Sequence, residues 1–515
     1  MPTSARKLSI VDSAFLFAET AECPMHVGSL TIVKLPDGYR GDFFEDLKAL
    51  FVAKLDVARS LRYKLAQTPF DIDRPSWVED EDFDIDRHAF RASLPKPGDR
   101  ATLQRLVGWL HAKPLNRARP LWEIYAFDGL PDNEAAIYTK MHHAMIDGAA
   151  GAALSGILYD ASPNAPRPEP APRESMLADA VAKRRDLRDI NASIFGAYAD
   201  LWRSGLGGGK DFKTFELPRS GGSDLGSVLL DAAIHQVEWP LRLAANFPEV
   251  AQSLSTALAN ALKPGALKAF ESLSAPSTPL NVSISSERSY TAVSVPLDRV
   301  KAIGAKAGGK VNDVVLALSS GILRRFLLEC DALPNKTLTA FVPISAREAG
   351  SAEAKNQVFG MVVPLGTNIA DPKERLETIV VESAASKELA NPFRAILPHM
   401  SEFPTFGTPM LLQLLATFYG RSNLASAVPP SVNVVVSNVF FSKKPFYIAG
   451  AELLHVYPVS IPVHGQALNI TVQGYREQLD FGLVAGANVL PKLDFLGAMI
   501  PEELDVLERS MGGVA

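Results

Sequence analysis

The chain has 515 residues, more than one hydrophobic core usually organises, so two domains with connecting material are expected. With 47% hydrophobic and 21% charged residues it reads as an ordinary globular protein, not a disordered or fibrous one. A net charge of −5 gives no general attraction for nucleic acid, and Cys23 and Cys330 lack any C-x-x-C spacing, which argues against a disulfide framework or a cysteine zinc site and fits a reducing cytoplasm.

Arg6 and Lys7 precede an apolar stretch at 8–17, but Ser9, Asp12 and Ser13 interrupt it, so no secretory signal is expected. From residue 25 to about 160 strand and helix signals mix: 26–33 reads as a strand, 43–60 as an amphipathic helix and 135–141 as a strand. The run 163–172 holds five prolines, which deny both helix and ladder hydrogen bonds, and reads as a linker. Segments 175–202 and 232–273 carry Ala and Leu at helical spacing, separated by the glycines of 205–209 and 221–222. They are expected to be connecting helices, with Trp202, Trp239 and Phe247 packing on the domains more readily than on a membrane.

Beyond them, 290–295 reads as a strand and 311–328 as an apolar helix after Gly308-Gly309. Strands are expected at 337–342, 361–365, 432–437, 468–475 and 479–485, the last two forming a hairpin through 476–478. The most apolar stretch, 406–419, is shorter than the roughly 20 residues that span a bilayer, so no transmembrane helix is expected. An amphipathic surface needs far less apolar sequence to lie on a membrane. The expected division is an α/β (α+β) domain at 1–162, connecting material at 163–275 and a second domain at 276–515.

The most informative segment runs from Tyr138 through His142-His143 to Asp147-Gly148, a strand leading into two histidines, an aspartate and a glycine. A neutral imidazole accepts a proton from a hydroxyl near neutral pH and later returns it, which is what a weak alcohol nucleophile requires. Asp147 follows His143 by four residues, and it either meets the imidazole or holds the loop by pairing with an arginine. Without their neighbours, adjacent histidines are more often structural than catalytic. Imidazoles and a carboxylate are also metal ligands, but consecutive residues on extended backbone point to opposite faces, and no further ligand has a helpful spacing, so no metal is expected.

The complete His-His-x-x-x-Asp-Gly string resembles the signature of the superfamily that includes chloramphenicol acetyltransferase, plant acyltransferases and peptide-synthetase condensation domains. The resemblance implies two chloramphenicol acetyltransferase-like domains, mixed sheets flanked by helices, and a tunnel at their interface. It puts the base on His143, beside His142, and gives Asp147 a mainly structural role. Further matches resemble the bacterial wax ester synthase/diacylglycerol acyltransferases: Leu8 to Asp12, Pro24 to Gly28, Pro120-Leu121-Trp122-Glu123, Val311-Asn312-Asp313-Val314, Pro343 to Arg347, Asn356 to Gly360, Val434 to Val439 with Ser437-Asn438, Tyr457 to Ser460, His464-Gly465 and Leu468 to Ile470. Where that family usually carries Pro-Gly-Pro, this chain has Phe440-Phe441-Ser442, from which a narrowed or rerouted lipid channel is expected.

The resemblance implies transfer of a long-chain acyl group from acyl-CoA to a long-chain alcohol or a diacylglycerol, without a cofactor. Gly148, Pro120, Leu121, Trp122, Asn312, Asp313, Ser437 and Asn438 become candidate substrate-binding residues, with Ser437 and Asn438 candidates to meet an oxyanion. Each has a structural alternative: packing for Pro120 to Trp122, helix capping for Asn312-Asp313. Arg347, then Arg288, are candidate partners for Asp147, while His464 and His26 are read as structural. The expected setting is a cytoplasmic monomer or homodimer, in contact with a membrane or lipid-droplet surface and not with nucleic acid. Two rival functions remain, a condensation-type acyltransferase using a carrier-bound donor and a non-catalytic droplet coat.

Overall fold

The computed structural model describes residues 6–66, 74–145, 154, 156–165, 275–345, 358–400, 417, 419–420, 422, 424–427 and 430–512. The N-terminal part supplies β1 (Arg6–Lys7), α1 (Ile10–Ala18), β2 (His26–Lys34), α2 (Phe43–Lys54), β3 (Tyr63–Ala66), β4 (Ser76–Glu79), β5 (Ala89–Ser93), α3 (Arg100–His111), β6 (Trp122–Asp128) and β7 (Glu134–His142). After the connecting region come β8 (Arg288–Pro296), α4 (Leu297–Lys306), α5 (Val311–Glu329), β9 (Thr339–Ser345), β10 (Val358–Pro364) and α6 (Pro372–Met400). The chain continues with β11 (Val434–Ser442), β12 (Tyr447–Ile448), β13 (Ala451–Val459), β14 (Leu468–Tyr475), β15 (Gln478–Gly486) and α7 (Asp494–Ser510). The expected linker beyond residue 165, the helices at 175–202 and 232–273, and most of 406–419 lie outside the described residues.

Among the described residues two six-stranded mixed sheets organise the fold, as the α/β expectation required. The first has the order β12-β13-β2-β7-β6-β5 and the second β10-β9-β11-β14-β15-β8; β1, β4 and β3 form a small third sheet. Parallel pairs occur at β5–β6, β11–β14 and β11–β9, and the other pairs are antiparallel. Because β12 and β13 come from 447–459, the part of the chain assigned to the second domain lends two strands to the first sheet.

The second sheet buries one face under helices. Val434 and Val436 of β11, Ile470 and Val472 of β14, and Leu479, Phe481 and Leu483 of β15 share one core with α4, α5, α6 and α7. Strand alternation sends the intervening β15 residues toward β13. Asp480 is fully buried there, accepting hydrogen bonds from the Val456 amide at 2.8 Å and Ser294 Oγ at 2.6 Å, with His455 Nδ1 at 3.1 Å. Two positions on, a Cβ on Gly482 would stand 1.8 Å from the Pro458 carbonyl oxygen, so only glycine lets the two sheets approach this closely.

One helix differs from its sequence reading. The helix expected at 43–60 ends at Lys54, and residues 59–62 form a 3-10 turn. Buried Ala58 and Leu61 continue the apolar spacing across the break, so periodicity alone misses it. Lys54 marks the end, donating to the Leu158 carbonyl at 3.0 Å and pairing with Asp160 at 2.7 Å.

Candidate active site

Helix α1 begins where Ser9 Oγ accepts the Asp12 amide at 3.0 Å, an N-cap that fixes the helix on the chain. Phe15 and Glu19, four residues apart at the end of this short helix, therefore lie over the same neighbour. That neighbour is the C-terminal end of β7, whose last residue is His142, with His143 the first residue of the turn that follows. Their side chains meet different surroundings, Glu19 for His142 and Phe15 for His143.

His142 is 1% exposed. Its Nδ1 accepts the Ala144 amide at 3.1 Å, which leaves the proton on Nε2, 3.1 Å from Glu19 Oε2. That contact falls outside ordinary hydrogen-bond alignment but sets the ring edge against the carboxylate. Arg117 completes the cluster, donating from Nη2 to Glu19 at 2.9 Å and to the Leu16 carbonyl at 2.8 Å. Burial pushes the Glu19 carboxyl up, but His142 and Arg117 outweigh it and hold the group below its ordinary value, as an anion at neutral pH. Both ring nitrogens of His142 thus face protein groups.

His143 is half-buried and lies flat against Phe15, with ring centroids 3.9 Å apart and planes 10° from parallel. Its amide donates to the Met25 carbonyl at 2.9 Å. Met25 has φ +42°, a left-handed conformation that costs a side-chain-bearing residue roughly 1–3 kcal/mol. The turn before β2, the end of β7 and α1 therefore all constrain this imidazole, and a ring held in one orientation is suited to proton transfer at a fixed point.

Other residues singled out by sequence divide clearly. Leu121 and Trp122 are fully buried: Trp122 Nε1 donates to the Leu61 carbonyl at 2.7 Å and its ring stacks on His88, while the Leu121 carbonyl accepts the His142 amide at 2.9 Å. With Pro120, also buried, they brace β7 from within the core, which is the packing alternative for this block. Asp313 is used as a cap, its Oδ2 accepting the Lys310 amide at 2.7 Å at the start of α5, and Asn312 is half-buried beside it. Ser437 and Asn438 are half-buried on β11, paired with Thr471 and Val472, and alternation puts their side chains on opposite faces. Asp147, Gly148 and Arg347 lie outside the described residues.

Arg288 is buried and donates to the carbonyls of Ser285 at 2.6 Å, Glu287 at 2.9 Å and Glu22, fastening the turn before β2 to β8. His26 is buried edge-on to His111 and contacts its carbonyl, and His464 Nδ1 accepts the Ile284 amide at 3.2 Å. Both act within the packing. In Phe440-Phe441-Ser442, Phe441 packs against Tyr159, Phe446 and Tyr475, while Phe440 is 60% exposed. Sequence reasoning missed Phe15, Glu19 and Arg117. Their only signals were the spacing from Asp12 along α1 and a position in the Asn116-to-Pro120 stretch.

Comparison with known proteins adds to this geometry. A family model described as the wax ester synthase/diacylglycerol acyltransferase catalytic domain matches residues 8–315, and one for the WS/DGAT C-terminal domain matches 354–508. A probable diacylglycerol O-acyltransferase of Mycobacterium tuberculosis is 33% identical over 502 residues, covering 97% of this chain and 98% of the relative. O-acyltransferase WSD of Acinetobacter baylyi is 31% identical over 512 residues, 98% and 97% of the two chains. The solved wax ester synthase/diacylglycerol acyltransferase of Marinobacter aquaeolei VT8 superposes with a TM-score of 0.65 at 27% identity, covering 98% of this chain and all of that one. The first condensation domain of the calcium-dependent antibiotic synthetase shares the fold, with a TM-score of 0.51 at 16% identity over 100% and 98% of the chains.

Proposed function

The chain belongs to the wax ester synthase/diacylglycerol acyltransferase family, and we propose that it transfers a long-chain acyl group from acyl-CoA to a long-chain alcohol or a diacylglycerol, with His143 as general base. One observation carries the assignment of the base: of two adjacent histidines, His142 is committed to Glu19 and the Ala144 amide, while His143 is half-buried and oriented by Phe15.

In this reading the imidazole of His143 removes the hydroxyl proton as the alcohol oxygen attacks the thioester carbonyl. The tetrahedral oxyanion collapses to the ester and expels CoA thiolate, to which the imidazolium returns the proton. The thioester supplies the driving force, so the scheme uses neither a metal nor a covalent enzyme intermediate. The protein's part is to position the reactants and keep water out. Ser437 is a candidate oxyanion donor; Asn438, on the other face of β11, is a weaker one.

The setting we propose is the cytoplasm, at a lipid surface. Among the described residues no helix is long and apolar enough to cross a membrane. Val439 and Phe440 are 47% and 60% exposed at the end of β11, and exposed Lys443 and Lys444 follow, a combination of apolar side chains and cations suited to an anionic lipid interface.

The deciding experiment uses purified protein, labelled palmitoyl-CoA, and hexadecanol or diacylglycerol offered in parallel, with a palmitoyl carrier protein as competing donor. The proposal expects ester from acyl-CoA and a loss of roughly 10²–10⁴-fold in turnover for His143→Ala. Full-speed ester formation by that variant would remove His143 from its role. A preference for the carrier-bound donor would favour condensation-type chemistry.

A further inference from the structure

A second feature lies on the helix-covered side of the second sheet. Helices α5 and α7 and the start of α6 enclose a cleft of about 530 Å³. Its floor is a buried ion pair, Arg375 Nη2 to Glu503 Oε1 at 2.8 Å, with both side chains under 5% exposed. Gly321 makes room for the pair: a Cβ there would stand 1.9 Å from the Glu503 carboxylate.

The charges in the cleft are unevenly satisfied. Four arginines line it, Arg324, Arg325, Arg375 and Arg509, facing three carboxylates. Each carboxylate already has a cation: Glu503 has Arg375, Glu502 has Arg325 at 2.8 Å, and Asp505 has Arg299, which is not part of the lining, at 2.7 Å. Arg324 donates one N–H to the Thr367 carbonyl at 2.6 Å and has no carboxylate partner among the described residues; Arg509, exposed in the last turn of α7, has none either. Arg375 places two further donors on the Ile369 and Ala370 carbonyls, but its Nε is buried without a hydrogen-bond partner among the described residues. Burial holds this guanidinium below its ordinary value, and the like charge of Arg324 acts in the same direction. Buried polar atoms without partners are uncommon and ask for an explanation.

An anion would give Arg324 and Arg509 the negative partner that each lacks among the described residues. Guanidinium forks match the oxygens of phosphate, and two cations lacking a carboxylate favour a dianion over a single charge. The cleft is larger than a lone phosphate needs, and Leu328, Val506 and Pro372 give part of its wall an apolar character suited to an organic moiety. We propose that this cleft is a binding site for a small organic phosphate, held by Arg324 and Arg509 above the Arg375–Glu503 pair, and separate from the histidine chemistry at the end of β7.

The test is calorimetric titration of the full chain with pyrophosphate and, separately, adenosine monophosphate, at constant ionic strength and without CoA. The expected result is saturable binding at one site for at least one probe, unchanged in His143→Ala and weakened roughly tenfold or more by Arg324→Ala and by Arg509→Glu. Tighter binding of the nucleotide than of pyrophosphate would assign the apolar wall to the organic part. Because Arg509 is exposed, its variant tests the site even if Arg324→Ala impairs folding. No saturable heat from either probe, affinity unchanged in Arg509→Glu, or binding abolished by His143→Ala would overturn the proposal.

Discussion

Phe15 lies face to face with His143, ring centroids 3.9 Å apart, so a residue of the first helix sets the plane of an imidazole 128 positions further along the chain. Replacing Phe15 by Leu keeps apolar cover but removes the stack. Turnover is expected to fall roughly 10–100-fold, with a smaller change in KM, since a misplaced base loses rate before affinity. Steady-state kinetics against both substrates measures the split, and unchanged kcat would show that β7 alone orients the ring.

Glu19 neutralises Arg117 and faces His142. Glu19→Gln leaves that cation and a buried imidazole without their anion and should cost about 1–3 kcal/mol in denaturant unfolding. Its carboxyl is held below the ordinary value of 4.5, so its stabilisation is present above that pH and is lost as pH falls through the lower folded value. The Gln variant should therefore show a flatter stability profile at the acid end; a profile parallel to wild type would count against an anionic Glu19.

His111 supplies a second pH dependence. Burial drives its pKa from 6.5 to about 3, and the ring bonds to Tyr138 Oη at 2.7 Å and the Ser460 carbonyl at 2.9 Å while neutral. The unfolded chain takes up a proton below about pH 6.5 and the folded one does not, so stability is full above that value and declines as pH falls toward 3. At roughly 1.4 kcal/mol per unit this is a large term. His111→Gln should lower the melting temperature at pH 7.5 yet reduce its slope between pH 6.5 and 4.5, and an equal slope in both proteins would refute the assignment.

Gly482 faces the Pro458 carbonyl where β15 meets β13. Gly482→Ala forces the strands apart and is expected to destabilise by about 1–3 kcal/mol or more, read from thermal unfolding. The second core should be less affected than the contact between sheets, so hydrogen exchange should rise first in β13.

Phe440 is the exposed aromatic beside Lys443 and Lys444. Phe440→Ser with Lys443→Glu should reduce sedimentation with phosphatidylglycerol vesicles several-fold, leaving acyl transfer to a detergent-dispersed alcohol near wild type. Equal sedimentation of variant and parent would remove this strand end from the lipid contact. Phe441→Leu should instead lower stability by loosening the Tyr159, Phe446 and Tyr475 cluster.

Much of this protein is local in origin. Strand alternation at 26–33 and 468–485, helical spacing at 311–328 and the unbroken His142-to-Gly148 string depend on near neighbours, so the sequence by itself determined these element types, the α/β class and the family resemblance. Only the tertiary structure decided what each polar residue is used for. Trp122 and Asp313 carried a substrate reading and a structural one in the sequence, and the fold gives them the Leu61 carbonyl and the Lys310 amide as partners. Glu19, Arg117 and Phe15 acquired meaning only when α1 was laid across β7, and β13 crossed into the first sheet by a pairing that no local pattern encodes. The reason is physical: periodicity records which face of an element is apolar, whereas the partner of a buried charge or ring is set by contacts between residues distant in the chain.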